Sequence, residues 1–262
     1  MLAPLAAALV AVAVAAAAPV PAKLSKPAAA PRFLVVLDPG HGGEADGALS
    51  PAGLKEKDLT LQIAQRIGAE LRKRGVKVVL TRAGDLSVPL ANRPAIANAI
   101  GADVFLSIHL NSMATAEGRA RHAGVETYFL SADASDTHAS AVAARENADR
   151  LAGEDAVDPN DPVASILSDL SDADSLAAAS RLAYGLQERL VARLGAQDRG
   201  VKQAPFYVLA GARVPAVLLE LGFISHEHES KLLVTRAYQD RIAGAVAEAV
   251  LAYGQEARKV RR

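Results

Sequence analysis

The chain contains no cysteine and no tryptophan, and aromatic residues make up only 4% of it. The missing thiols exclude a disulfide framework, thiolate metal sites and a cysteine nucleophile, so any metal must sit on His, Asp or Glu. An excess of charge is missing too: 29 basic residues face 29 acidic ones across 262 positions. That balance leaves no global basic field for nucleic acid and no acidic one for cationic partners. The Gly-rich run GHGGEADG at 40–47 lacks both the GK[ST] ending and the GxGxxG spacing of a phosphate cradle, and no G-x-S-x-G elbow occurs.

What is abundant is apolar, 51% of the chain, which supports a packed core and excludes disorder along the whole length. Residues 2–20 carry no charge and run into PAKLSKPAAAPR, which reads as an export signal with a short linker to residue 30. Ala16 to Ala18 before Pro19 offer the small-residue pattern of a cleavage site; a retained anchor is the alternative. No Lys or Arg precedes the apolar stretch, which leaves room for a start further upstream, and no stable membrane span is expected after cleavage.

Residues 31–256 read as one α/β domain. Strands are expected at 33–37, 76–81, 104–108, 125–130, 206–209 and 216–219, each a short apolar run between turn residues. Helical periodicity carries Leu59, Ile63, Ile67 and Leu71 up to Gly75, then Leu176 through Leu194 up to Gly195. A third helix places Ile242, Val246 and Val250 on one face, with Gly254 as its expected end. This alternation predicts a largely parallel twisted sheet with helices on both faces. Residues 131–174, rich in Asp, Ala and Ser and containing DPNDP, form an excursion, and 257–262 read as a basic tail.

Three chemically capable side chains follow strands. His41 comes on a Gly turn after FLVVL, His109 after VFLSI, and Glu220 after AVLL. In an open parallel sheet, ligands bind outside the carboxyl ends of the strands, so all three are aimed at one edge. Glu56 opens the next helix, where with Asp58 it complements the helix dipole or joins the histidines. Two His and one carboxylate form the ligand set of hydrolytic zinc sites, and a second carboxylate such as Glu220 suits the base that takes a proton from water. Arg82 and Arg93 suit ion pairs with Asp38, Asp85 or Asp103 better than an anionic substrate. Asn111 either bonds a substrate amide or closes its own turn. His122 lies in a charged loop, and SHEHES at 225–230 reads as a solvated helix start capped by Ser225 rather than a metal site.

The motifs LDPGHGG, EKDLTL, TRAGDLSVPLANR, ANAIGADVFLSIHLNS, GVETYFL and PAVLLELGFIS, in this order, resemble the zinc-dependent N-acetylmuramoyl-L-alanine amidases over about residues 32–253. The resemblance implies that His41, Glu56 and His109 hold Zn2+ and that Glu220 is the catalytic carboxylate. It implies hydrolysis of the amide between N-acetylmuramic acid and L-alanine in peptidoglycan, in the periplasm, during cell division and daughter-cell separation. His226 stands where the family often has Asn, and Leu110 follows the second ligand histidine where Ala is usual; both bear on substrate contacts.

The segment SDTHASAVAARENADRLAGED resembles the helical insertion that covers the zinc cleft in the division-associated branch of the family. His138, Glu146 and Asp136 are the candidates to occupy zinc's water position, the alternative being a solvated surface helix. An activator protein acting on this insertion is the implied partner, beside peptidoglycan itself. Neither nucleic acid nor a stable oligomer is expected; the chain reads as a monomer. Another zinc hydrolase of the cell wall, peptidase or deacetylase, and a non-catalytic wall-binding module are the competing readings.

Overall fold

A computed structural model describes residues 33–149 and 173–260. The expected export signal, its cleavage site and the DPNDP segment lie outside the described residues. Six strands form one sheet: β1 (Leu34–Pro39), β2 (Lys77–Leu80), β3 (Val104–Asn111), β4 (Val125–Leu130), β5 (Asp198–Ala204) and β6 (Ala216–Phe223). Their order is β2-β1-β3-β6-β4-β5, and four of the five neighbouring pairs are parallel. The exception is β4 against β6, which run antiparallel. The sheet is therefore mixed, with the expected parallel character holding on either side of that junction.

Seven helices accompany the sheet among the described residues: α1 (Glu56–Lys73), α2 (Asn92–Ala99), α3 (Ala116–Arg121), α4 (Thr137–Asn147), α5 (Ala173–Leu194), α6 (Glu227–Leu233) and α7 (Arg236–Val260). Strand alternation sorts them onto two faces. Val35, Leu37, Leu106, Ile108, Val217 and Leu219 point toward α1, α5 and α7, which contribute Ile63, Ile67, Leu186 and Val246 to the larger core. Val36, Phe105, Tyr128 and Leu218 point the other way, toward α2, α4 and the 205–210 turn. Central strands covered on both faces read as continuous apolar runs, which is why β1, β3 and β6 were recognisable.

Several expectations are corrected. The run at 206–209 is a turn, not a strand: Leu209 N donates to Phe206 O at 3.1 Å, and its apolar residues plug the second core instead of a sheet. The strand there is β5, DRGVKQA, an edge strand whose polar side chains are half-buried and turn toward a buried acid. Helix α7 does not stop at Gly254 but continues to Val260, absorbing the first part of the expected tail. A Cβ at Gly254 would stand 3.3 Å from the Phe33 ring, so this glycine permits close packing rather than ending the helix. The cap of α6 is His226, whose ring accepts from Glu229 N, while Ser225 accepts from Met113 N at 3.0 Å. No helix among the described residues is long and apolar enough to cross a membrane.

Candidate metal centre

His41 stands just beyond β1 with φ 60°, alone among the described non-glycine residues in the left-handed region. Such a backbone costs on the order of 1–3 kcal/mol and persists where its surroundings over-determine it. Here two buried guanidiniums supply the constraint. Arg93 donates to Pro39 O and to His41 O, each at 3.0 Å, and Arg82 donates to Gly40 O at 2.8 Å. Arg93 also pairs with Asp38 at 3.1 Å, as expected, whereas Arg82 spends its donors on backbone carbonyls. At Gly40, a Cβ would fall 2.4 Å from the His109 ring, so only glycine lets the turn after β1 pass so close to this β3 side chain.

His109 and Glu220 extend the theme one step inward: both lie inside β3 and β6, near their carboxyl ends rather than beyond them, paired in register on one face. Glu56, the first residue of α1, turns back under the sheet edge. Its Oε1 accepts from Leu110 N at 2.8 Å and its Oε2 from Ala48 N at 2.9 Å. His41 Nε2 lies 3.1 Å from Glu56 Oε2, and His109 Nδ1 lies 3.3 Å from Glu56 Oε1. The structure thus brings the three expected ligands together.

A fourth donor comes from α4. Glu146 Oε2 lies 2.9 Å from His109 Nδ1 and 3.3 Å from His41 Nε2. Of the three candidates in the insertion, Glu146 alone reaches the cluster. His138 instead contacts the buried Glu126 at 3.0 Å, and Asp136 caps α4 by accepting from Ala139 N at 2.7 Å. His226 and His228 join no group of metal-competent side chains among the described residues.

The donor atoms of His41, Glu56, His109 and Glu146 all lie within 4.8 Å of one another. His41 Nε2, His109 Nδ1 and Glu146 Oε2 are buried without a hydrogen-bond partner, although they crowd together. Buried polar atoms are normally paired, and lone pairs converging on one point fit a cation. Imidazole and carboxylate donors of this number suit zinc. Asp149 adds the orienting contact, with Oδ2 2.9 Å from His41 Nδ1, so that Nδ1–H donates outward and Nε2 faces the cluster.

Electrostatics agree. Burial opposes a charged ring on His109, but Glu146 and Glu56 outweigh it and hold its pKa up to about 9. Burial likewise opposes charge on His41, and Glu56, Asp149 and Glu146 override it upward. Burial would raise Glu56, yet the two imidazoles bring it down to about 2. Positive charge is wanted at the centre of this cluster, and protons supply it when no metal does. Glu220 behaves oppositely: burial first, then the charge of Glu146, pushes its carboxyl well above the usual carboxylate range. Its Oε2 has no hydrogen-bond partner.

Three contributors escaped the sequence reading. Asp149 lies just past the end of α4, two residues after Asn147, where no helical spacing marks it, so the sequence offered no signal for it. Arg145 donates to Glu146 Oε1 at 2.8 Å and stands 3.5 Å from Glu220 Oε1. Glu126, inside β4, gathers Arg199, His138, Tyr128 and Asn111 around one buried carboxylate.

Comparison with known proteins agrees with this geometry. The family model described as N-acetylmuramoyl-L-alanine amidase matches residues 35–252. N-acetylmuramoyl-L-alanine amidase AmiA of Escherichia coli is 38% identical over 222 residues, covering 84% of this chain and 75% of the relative. The crystal structure of N-acetylmuramoyl-L-alanine amidase from Clostridium difficile 630 matches with a TM-score of 0.65 at 28% identity, covering 86% of this chain and 97% of that one. AmiC2 of Nostoc punctiforme matches at 0.61 and 29% identity, over 85% and 97% of the two chains. CwlD from Clostridioides difficile, solved in complex with the GerS lipoprotein, matches at 0.64 and 26%, over 86% and 99%. By sequence, fold and the residues gathered at its sheet edge, the chain belongs to the N-acetylmuramoyl-L-alanine amidase family, hydrolases that act on peptidoglycan.

Proposed function

We propose that this amidase is zinc-dependent, that His41, Glu56 and His109 hold the metal, that Glu220 is the catalytic carboxylate, and that α4 keeps the site closed. The observation that carries the reading is the convergence of buried, unpartnered donor atoms on one point. When bound there, zinc would lower the pKa of a water and polarise the scissile carbonyl. The chain's own residues do the rest. Glu220, held ready to carry a proton by its burial, accepts one from the attacking water. As the new C–O bond forms and the C–N bond breaks, Glu220 passes that proton to the departing nitrogen of L-alanine. The products are a lactyl carboxylate on the glycan and a stem peptide with a free amine.

In the closed state Glu146 takes the place that substrate water requires, which makes α4 an inhibitory element. The reading extends to an exported enzyme of residues 31–256 behind a leader at 1–30, acting in the periplasm as a monomer during daughter-cell separation. An activator protein would lift α4; the relative solved with a lipoprotein supports a role for partners in this family. Mass spectrometry of peptidoglycan digested with the Glu146→Ala chain tests the reaction. Denuded glycan and free stem peptides, lost on adding chelator, are expected. Cleavage between amino acids, or loss of acetyl groups, would assign the chain to the peptidases or deacetylases instead.

A further inference from the structure

Arg145 is aimed into the cleft beside Glu146, which already supplies the fourth donor of the cluster. Its guanidinium donates from Nη1 to Ser112 O at 2.9 Å and from Nη2 to Asn111 Oδ1 at 3.2 Å, and Nη2 stands 3.5 Å from Glu220 Oε1. Three acceptors from two adjacent strand ends thus meet on one cationic donor. Two of the three belong to fully buried side chains, Asn111 and Glu220.

Asn111 cannot turn its amide around. Its Nδ2 donates to Glu126 Oε2 at 3.0 Å and its Oδ1 accepts from Ser112 N at 2.8 Å, so the oxygen stays on the cleft side. Glu126 is fixed in turn by Tyr128 and Arg199. Asn111, Ser112 O and Glu220 therefore form a rigid acceptor pocket that belongs to the strands, not to α4. Glu220 Oε2 remains without a partner even with Arg145 in place, a second sign that the pocket is built for another donor.

We propose that this pocket receives the amino group released by the reaction, and that Arg145 occupies it as a stand-in for that amine while α4 is closed. The inference rests on the proposed displacement of α4. It adds a positioning role for Asn111: its oxygen and Ser112 O hold the N–H bonds of the leaving nitrogen beside Glu220. The amine takes its first proton from Glu220 as the C–N bond breaks and a second from solvent, leaving as an ammonium that pairs with the regenerated carboxylate. No co-reactant beyond water is needed.

The test uses the full chain carrying Arg145→Ala and Glu146→Ala, which empties the pocket. Calorimetry compares a stem tetrapeptide bearing free L-alanine with the same peptide carrying propionyl in its place, which lacks only the amine and cannot be hydrolysed. Charge-assisted hydrogen bonds predict roughly tenfold or greater preference for the amine. Adding Asn111→Leu should cut that preference severalfold. Equal binding of the two peptides, or a preference undiminished by Asn111→Leu, overturns the proposal. If Asn111→Leu does not fold, Glu220→Gln replaces it, because a neutral amide removes the charge that pairs with the ammonium; an undiminished preference there is equally fatal. Binding is read without turnover, so a failure of the pocket is separable from a failure of the amidase reading, which would appear as lost cleavage of peptidoglycan with the amine preference intact.

Discussion

Two sides of the metal centre are built differently. His41, Glu56, His109 and Glu220 hang from β1, α1, β3 and β6, where Leu59, Ile63, Ile67 and Leu71 anchor α1 against the buried strands. Each such side chain contributes about 1.5–3 kcal/mol by leaving water. Helix α4 buries only Ala139, Val142 and Ala143 as apolar residues, and its remaining grip is polar: Glu146 and Arg145 in the cleft, Asp136 at its cap. A side held by apolar area is permanent, whereas one held by charges that face the active site is removable by whatever competes for them. The difference fits the proposed inhibitory role of α4, in which the geometry of His41, Glu56 and His109 survives its departure.

The comparison can be broken or sharpened in order of effect. In the Glu146→Ala background, Glu220→Gln should lower cleavage by about 10²–10⁴-fold while zinc content by atomic absorption stays unchanged. Ile67→Ala, on the fixed side, should cost about 2–5 kcal/mol of global stability in denaturant titration. Asp136→Ala should loosen α4 by about 0.5–2 kcal/mol, read as faster amide exchange at 139–147 with α1 unaffected; equal acceleration of both would erase the distinction.

Glu126 supplies the smallest effect, through pH. Burial pushes this carboxyl up, but His138, Tyr128 and Arg199 overcome it and bring it down to about 2 from an ordinary 4.5. A depressed carboxyl contributes stability that is present above about pH 4.5 and lost as pH falls toward 2. The acid limb of the stability profile should therefore be shallower in Glu126→Gln than in the parent. Identical slopes would show that the buried hub does not anchor the underside of α4.

Much of this was legible in the chain itself. The candidate site was legible only as a pattern: His41 after a strand is by itself more often a packed residue, and it was His109 and Glu220 at equivalent strand ends, with Glu56 and the family motifs, that singled the group out. Strand β5 was hidden because its polar side chains satisfy Glu126, so an edge strand looked like a loop. The 206–209 run misled for the opposite reason: apolar content marks burial, not extension. Helix α2 escaped because NRPAIANA carries its proline in the first turn, where a missing N–H is harmless. Among the insertion candidates, helix phase could not choose. His138, Val142 and Glu146 share one stripe, but 1.5 Å per residue separates its ends by about 12 Å, and only the Glu146 end reaches the His41–Glu56–His109 cluster.

The most direct test of a fixed ligand side beneath a removable blocking side is zinc stoichiometry and peptidoglycan cleavage measured together on the parent chain and on the Arg145→Ala, Glu146→Ala double variant. Both proteins should bind one zinc ion per chain, and the variant should cleave faster by roughly 5–150-fold. A variant that loses its zinc and its activity together would make Glu146 an indispensable ligand and contradict the account.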